Sequence, residues 1–178
     1  MIFPYFHNCF LLLLPILLWN VIFMKVLPPP FQKNIFWHDI PPYIGIPENI
    51  LRIIVFLCPL LMKFSLSEPH QKRGLILYFL GVGLYFWSWI GQIYFPKSSW
   101  SMSIWGFTAP AYTTLIWFAG IGLIGSSLFI NIPYHCSVYL VISALFVNLH
   151  TIHVYIVYSR LLKNSWYWQY EHFNILST

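Results

Sequence analysis

Two spacings in the sequence could support chemistry, one a Glu/Arg pair and the other a His/His pair. Glu48 and Arg52 lie four residues apart, and His150 and His153 lie three apart, so each pair shares a helix face. The guanidinium could hold a carboxylate or an anionic headgroup, although a self-contained ion pair at the membrane surface explains the same spacing. The histidines could ligate metal or haem iron, or act only as hydrogen-bonded structural groups. We predict no resident metal or cofactor and keep haem or metal at His150 and His153 as the alternative.

Further polar residues extend this candidate site. The acid–base candidates are His38, Asp39 and Glu48, and the candidate ligand-binding residues are Arg52, Gln92, His150, His153 and Arg160. If the apolar runs of the chain all cross the bilayer, these residues fall near one membrane side, beneath the first loop, residues 28–46, and the third loop, residues 96–107. An enzyme built here would require His38 to lie within about a side-chain length of Glu48 and His150.

The composition of the chain identifies the elements that must position these residues. Only 7% of the 178 residues are charged and 59% are hydrophobic, with a mean hydropathy of +0.70. A soluble domain usually carries about 25% charged residues, so this chain could not cover its apolar surface in water. The net charge of +5 is scattered and forms no basic stripe, which excludes a nucleic-acid partner.

Five apolar runs approach the roughly 20 residues needed to cross a bilayer as a helix. They cover residues 9–27, 47–64, 74–95, 109–132 and 137–159. Barrel strands would alternate in polarity, and these runs do not. We therefore predict one domain over residues 1–178, an all-α integral membrane bundle of about five transmembrane helices.

The regions outside the runs carry weaker signals. Prolines in the first loop predict irregular structure, and its aromatic residues, with those of the tail 164–178, predict positions at the membrane interface. Residues 1–8 contain no Lys or Arg, so we expect the first run to be a span rather than a signal peptide. At the helix starting near Pro47, Glu48 should lie in the first turn and gain from the helix dipole.

Orientation and packing follow from charge and small residues. Lys and Arg are more frequent on the C-terminal side, which favours a cytoplasmic C-terminus in a cell membrane, plasma or inner. The third and fourth runs are rich in Gly, Ala and Ser, which allow close helix approach. These runs should form the centre of the bundle, or else one small-residue face serves an oligomer contact.

The sequence contains no HExxH, GxSxG or Walker A motif. We therefore expect a small multi-pass protein that binds a hydrophobic, lipid-like or aromatic ligand or a lipid headgroup, or that serves as a subunit of a homo-oligomer or a larger membrane complex. The alternative is a lipid- or isoprenoid-modifying membrane enzyme that uses the polar site.

Overall fold

The chain folds into a helical bundle with a small β-ribbon at one end. The computed structural model describes the backbone of residues 8–175 and the side chains of residues 8–163. The elements in this part follow in the order: a 3-10 helix Cys9–Leu13, α1 Leu14–Phe23, a 3-10 helix Pro29–Phe31, α2 Lys33–Phe36, α3 Pro42–Leu61, β1 Met62–Phe64, α4 Pro69–Tyr94, α5 Ile104–Tyr112, α6 Thr114–Ile124, β2 Gly125–Leu128 and α7 Cys136–Ile175. The predicted all-α fold class is confirmed.

Among the described residues, four helices are long and apolar enough to cross a membrane. They are α3, α4, the α5–α6 unit Ile104–Ile124, and Cys136–Lys163 of α7. The first predicted span is instead a shorter apolar helix, Cys9–Phe23. It rises only about 25 Å, which is less than the roughly 30 Å hydrocarbon layer. The described part of the chain thus has four long apolar helices and one shorter one, the arrangement of a multi-pass membrane protein.

Helix α3 begins earlier than the sequence pattern predicts. The prolines of the first loop indicated irregular structure, yet α3 starts at Pro42 with Pro41 as its N-cap. Proline suits the first helical position because the N–H there has no partner within the helix. Glu48 therefore lies in the second turn rather than the first. The predicted stabilisation of Glu48 by the helix dipole is wrong, since that effect fades beyond the first turn.

An antiparallel ribbon, which the sequence pattern does not predict, joins the ends of two long helices. Helix α3 ends at Leu61 and α6 ends at Ile124, before the expected ends of those spans at 64 and 132. Strands β1 and β2 then pair, with Phe64 opposite Gly125. A Cβ at Gly125 would lie 2.6 Å from Met62 Cε, the flexible end of a side chain, and 3.0 Å from the hydroxyl oxygen of Tyr134, so glycine leaves room for both side chains at this crossing. The ribbon provides backbone partners at two helix ends that would otherwise lack them.

Helices α4 and α6 form the closest helix contact, through glycines on both sides. A Cβ at Gly81 would lie 2.4 Å from the backbone nitrogen of Trp117, and a Cβ at Gly120 would lie 2.5 Å from that of Tyr78. Small residues allow such approach between membrane helices. The third and fourth runs pack closely, but only the fourth is central: 72% of the Ile104–Ile124 window is buried, against 33% for both α4 and Cys136–Lys163. Trp117 and Tyr78 are both buried in the main apolar core.

Proline within α3 is compensated by a neighbouring helix. Pro59 has no N–H, so the carbonyl of Val55 lacks its usual partner four residues later. The hydroxyl of Tyr139 on α7 donates to that carbonyl at 3.3 Å. In the bilayer no water is present to replace the lost bond. The contact therefore helps to join α3 to α7, the two helices that carry the candidate site.

The aromatic tail 164–178, predicted to lie at the membrane interface, falls largely outside the described residues. The backbone of α7 continues to Ile175. The side chains of residues 164–178 and the backbone of residues 176–178 lie outside the described part. This prediction therefore stays a prediction.

Candidate functional site

A buried carboxylate, Glu48, is the centre of the candidate site. Glu48 lies on α3 and its side chain is fully buried. Its Oε1 accepts a hydrogen bond from Arg52 one turn later, and lies 2.9 Å from Nδ1 of His150. Its Oε2 lies 2.6 Å from Nδ1 of His153. Nitrogen groups from α3 and α7 thus converge on one carboxylate, and we call these four residues the Glu48 cluster.

The contacts of His153 determine where protons lie in the cluster. Nε2 of His153 is 3.0 Å from the carbonyl oxygen of Phe36, which can only accept, so Nε2 carries a hydrogen. The 2.6 Å contact between Nδ1 and Glu48 Oε2 needs a second proton, located on one atom or the other. Glu48 and His153 are together neutral in both arrangements. With His150 neutral, Arg52 gives the Glu48 cluster one net positive charge.

Aromatic rings surround the basic groups of the cluster. The guanidinium carbon of Arg52 lies 5.3 Å from the ring centre of Trp37 and 5.8 Å from that of Phe146. Both distances are within the range of cation–π attraction. His150 stacks on Phe146 at 5.6 Å, and His153 stacks on Phe36 at 4.2 Å. The rings fix the orientation of these side chains in an otherwise apolar environment.

Arg52 and His150 also line a cavity of about 810 Å³. The side chain of Arg52 is 33% exposed, whereas that of Glu48, which lies behind it, is 0% exposed. The rest of the wall is mainly aliphatic and aromatic. Its rings include Trp19, Phe23, Phe56, Trp89, Trp117 and Phe118. The cavity therefore combines a large apolar body with a positively charged corner, a usual composition for small-molecule sites.

Two of the predicted acid–base residues lie elsewhere. His38 Nδ1 pairs with Asp39 Oδ2 at 2.9 Å, and their side chains are 69% and 75% exposed. This pair lies at the surface, whereas Glu48 is buried among other partners. Asp39 also has a positive φ of 50°, which Asp tolerates better than most residues. The sequence grouped these residues by membrane depth alone, which cannot distinguish a surface loop from the bundle interior.

Arg160 contacts the same loop through its backbone. Its guanidinium donates to the carbonyl oxygens of His38 and Ile35. These contacts hold the segment around α2 against α7, and that segment contributes Phe36 and its carbonyl to His153. The structure therefore places Arg160 as a positioning residue for the cluster rather than on the cavity wall.

Gln92, a predicted ligand-binding residue, has a structural partner. Its side chain is buried, and Nε2 donates to the carbonyl of Gly106 at 2.8 Å and to that of Ser101 at 3.4 Å. The Gly106 carbonyl lacks a helical partner because residue 110 is proline. Gln92 thus replaces the missing bond of α5 and joins α4 to α5.

Replacing Gln92 with leucine should lower the free energy of unfolding by about 1 kcal/mol, because the Gly106 carbonyl loses its donor. In a Pro110→Ala background the same change should cost less, since residue 110 then supplies a helical N–H to that carbonyl. Reversible unfolding of the four proteins in mixed detergent micelles gives this double-mutant cycle. If the destabilisations caused by Gln92→Leu and Pro110→Ala simply add in the double variant, Gln92 acts through a contact other than the Gly106 carbonyl.

Sequence reasoning missed the aromatic residues that hold the cluster. Phe36 and Trp37 were interpreted as interface anchors of the first loop, but both pack against His153. Phe146 was assigned no role, yet it lies between Arg52 and His150. Aromatic residues form 21% of the chain, so no local signal separates these three from the others.

Comparison of the chain with models of protein families, with curated proteins and with solved structures found no match. The function is therefore inferred from the chemistry of the cavity and the Glu48 cluster.

Proposed function

We propose that this multi-pass membrane protein binds an amphiphilic anion, a molecule with a long apolar body and a carboxylate or phosphate head. The observation that carries this proposal is the position of Arg52 at the corner of an aromatic-lined cavity of about 810 Å³. That volume falls in the range of cavities that enclose most of a drug-sized ligand.

The charge of the Glu48 cluster selects the head of the ligand. One net positive charge next to an apolar cavity is costly unless an anion approaches it. Arg52 uses its terminal nitrogens toward Glu48 and Asn49, and a guanidinium has five N–H donors in all. Donors therefore remain for a carboxylate or phosphate oxygen, and Arg binds both groups with well-defined geometry.

The apolar wall selects the body of the ligand. The cavity is formed by the first apolar helix and by α3 to α7, and its wall includes Trp19, Trp89 and Trp117. Flat rings and branched side chains accommodate alkyl or isoprenoid chains without requiring polar groups. A hydrophilic anion would leave this wall unoccupied.

Binding is better supported than catalysis. Glu48 and His153 share a proton and could in principle transfer it. They do not line the cavity among the described residues, whereas Arg52 and His150 do. A ligand in the cavity would thus meet a cation and an imidazole before the acid–base pair.

The proposal is tested by fluorescence quenching in phosphatidylcholine nanodiscs. Brominated stearate, a brominated alkyl phosphate and a brominated fatty alcohol serve as probes, because bromine quenches the tryptophans on the cavity wall. We expect at least one of the two anions to quench at a concentration about 10-fold lower than the alcohol, the value of one charge-assisted hydrogen bond. The anion that binds more tightly identifies the head group.

Arg52→Gln should remove the preference for the anions. The matched control is Arg73→Gln, which removes an exposed arginine at the start of α4. This variant should keep the preference for the anions over the alcohol. Equal quenching by anions and alcohol in the unmodified protein, or a preference that survives in Arg52→Gln, would contradict the proposal.

A further inference from the structure

Three side chains of the Glu48 cluster have the composition of a transition-metal site. One ligand atom each from Glu48, His150 and His153 lies within 4.8 Å of the others. Two imidazoles with one carboxylate form the set found in many zinc and non-haem iron sites. We propose that this protein binds one divalent transition-metal ion, of the zinc or iron class, at these three residues.

The second contact of His153 supports this assignment. Its Nε2 is bonded to the carbonyl oxygen of Phe36 at 3.0 Å, so the hydrogen of the ring lies there and Nδ1 points at Glu48. Histidines that ligate metals usually donate their other ring N–H to a carbonyl or carboxylate, which fixes both tautomer and orientation. Stacking on Phe36 at 4.2 Å restrains the same ring further.

The carboxylate can serve the ion and Arg52 together. Arg52 and His150 contact Oε1, whereas Oε2 contacts His153. To bind the ion, His150 turns its Nδ1 away from Oε1, and the hydrogen of its ring moves to Nε2 without a change in charge. Oε2 is therefore the ligand atom, and Oε1 keeps its bond to the guanidinium. The ion replaces the proton shared between Oε2 and Nδ1, and that proton is released to solvent. The cluster then gains one net positive charge rather than two.

The distances require a small adjustment. Ligand atoms around a tetrahedral ion with bonds of about 2.0–2.1 Å lie about 3.3 Å apart. Oε2 of Glu48 and Nδ1 of His153 are 2.6 Å apart and would separate slightly, while the more distant atoms would approach. Rotation of the Glu48 carboxylate and of the His150 ring provides these movements within ordinary side-chain freedom.

The ligand set also defines which ions fit and where an open position lies. Imidazole nitrogens suit zinc, iron, cobalt and nickel, whereas magnesium and calcium need an all-oxygen site. Three protein ligands leave one position for water or another molecule. Because His150 lines the cavity, that position is accessible from the cavity side of the cluster. This inference does not depend on the proposed ligand, since it concerns the protein with an empty cavity.

Cobalt(II) is the probe for the test, because its absorption reports coordination number. Purified protein in detergent is stripped with a chelator and titrated with Co²⁺, followed by competition with Zn²⁺. We expect one Co²⁺ per chain with the intense visible bands of a four- or five-coordinate site, displaced by Zn²⁺. No stoichiometric binding, or the weak spectrum of six-coordinate cobalt, would overturn the proposal without any variant.

Variants then locate the ion. His150→Gln and His153→Gln each keep a donor for Glu48 and should lower the affinity for Co²⁺ by more than about 10-fold, since loss of outer-shell partners alone costs 10–100-fold. His70→Gln, at an exposed histidine, is the matched control and should bind as the unmodified protein does. His38→Gln tests the surface pair with Asp39. Loss of binding in His38→Gln but not in His153→Gln would overturn the assignment.

Discussion

Glu48→Ala is expected to lower the free energy of unfolding by about 3–5 kcal/mol, the cost of breaking a buried charge pair by removing one partner. The carboxylate is fully buried and is the shared acceptor for Arg52, His150 and His153. Without it the guanidinium and both imidazoles lose their shared acceptor, and Arg52 keeps its bond to Asn49. Reversible unfolding in mixed detergent micelles measures the loss.

The control for this prediction is a carboxylate outside the bundle. Asp39→Asn removes a charge whose side chain is 75% exposed, and Asn tolerates the positive φ at that position. Surface ion pairs contribute little to stability, so the unfolding free energy should stay within experimental error. Equal stability of Glu48→Ala and the unmodified protein would show that the cluster does not form as described.

Gly81→Ala is expected to destabilise the bundle by about 3 kcal/mol, at the upper end of overpacking costs. The added Cβ would lie 2.4 Å from the backbone nitrogen of Trp117. Real contacts of this kind are never so short, and backbone cannot move aside as a side-chain end can. Helices α4 and α6 must therefore separate, and the packing of Trp117 is lost with them. The same unfolding measurement applies.

A second glycine on α4 provides the matched control. At Gly83 an added Cβ would have nothing within 4 Å. Gly83→Ala should leave stability unchanged or raise it slightly, because alanine favours a helix more than glycine does. If Gly81→Ala and Gly83→Ala behave alike, the close contact between α4 and α6 cannot be the source of the effect.

The position of Glu48 shows where sequence patterns reach their limit. The i, i+4 spacing correctly pairs it with Arg52, because helix geometry fixes neighbours within one helix. The expected location in the first turn was wrong because the helix begins at Pro42. Helix ends are determined by which backbone groups find partners. Pro41 and Pro42 have no N–H that needs a partner, so the helix begins there rather than near Pro47.

The sequence pattern also does not predict the two strands or the cavity, and the reason is a different one. The ribbon of β1 and β2 forms only because α3 and α6 end next to each other. The cavity needs Trp19, Phe56 and Trp117 from separate helices to enclose one volume. Each residue is apolar and suited to lipid or core alike, so its final environment depends on how the helices pack.

The sequence by itself determined that this protein has the composition of a membrane protein. It also determined which residues share a helix face. Apolar helices in a chain with 7% charged residues are those of a membrane protein, and the helical period places His150 and His153 on one face. Only the tertiary structure decided that these histidines meet Glu48, which lies 102 residues from His150. Local geometry extends over a few residues, whereas contact between α3 and α7 results from side-chain packing over the whole bundle. That packing turns two separate spacings into one buried cluster behind a cavity.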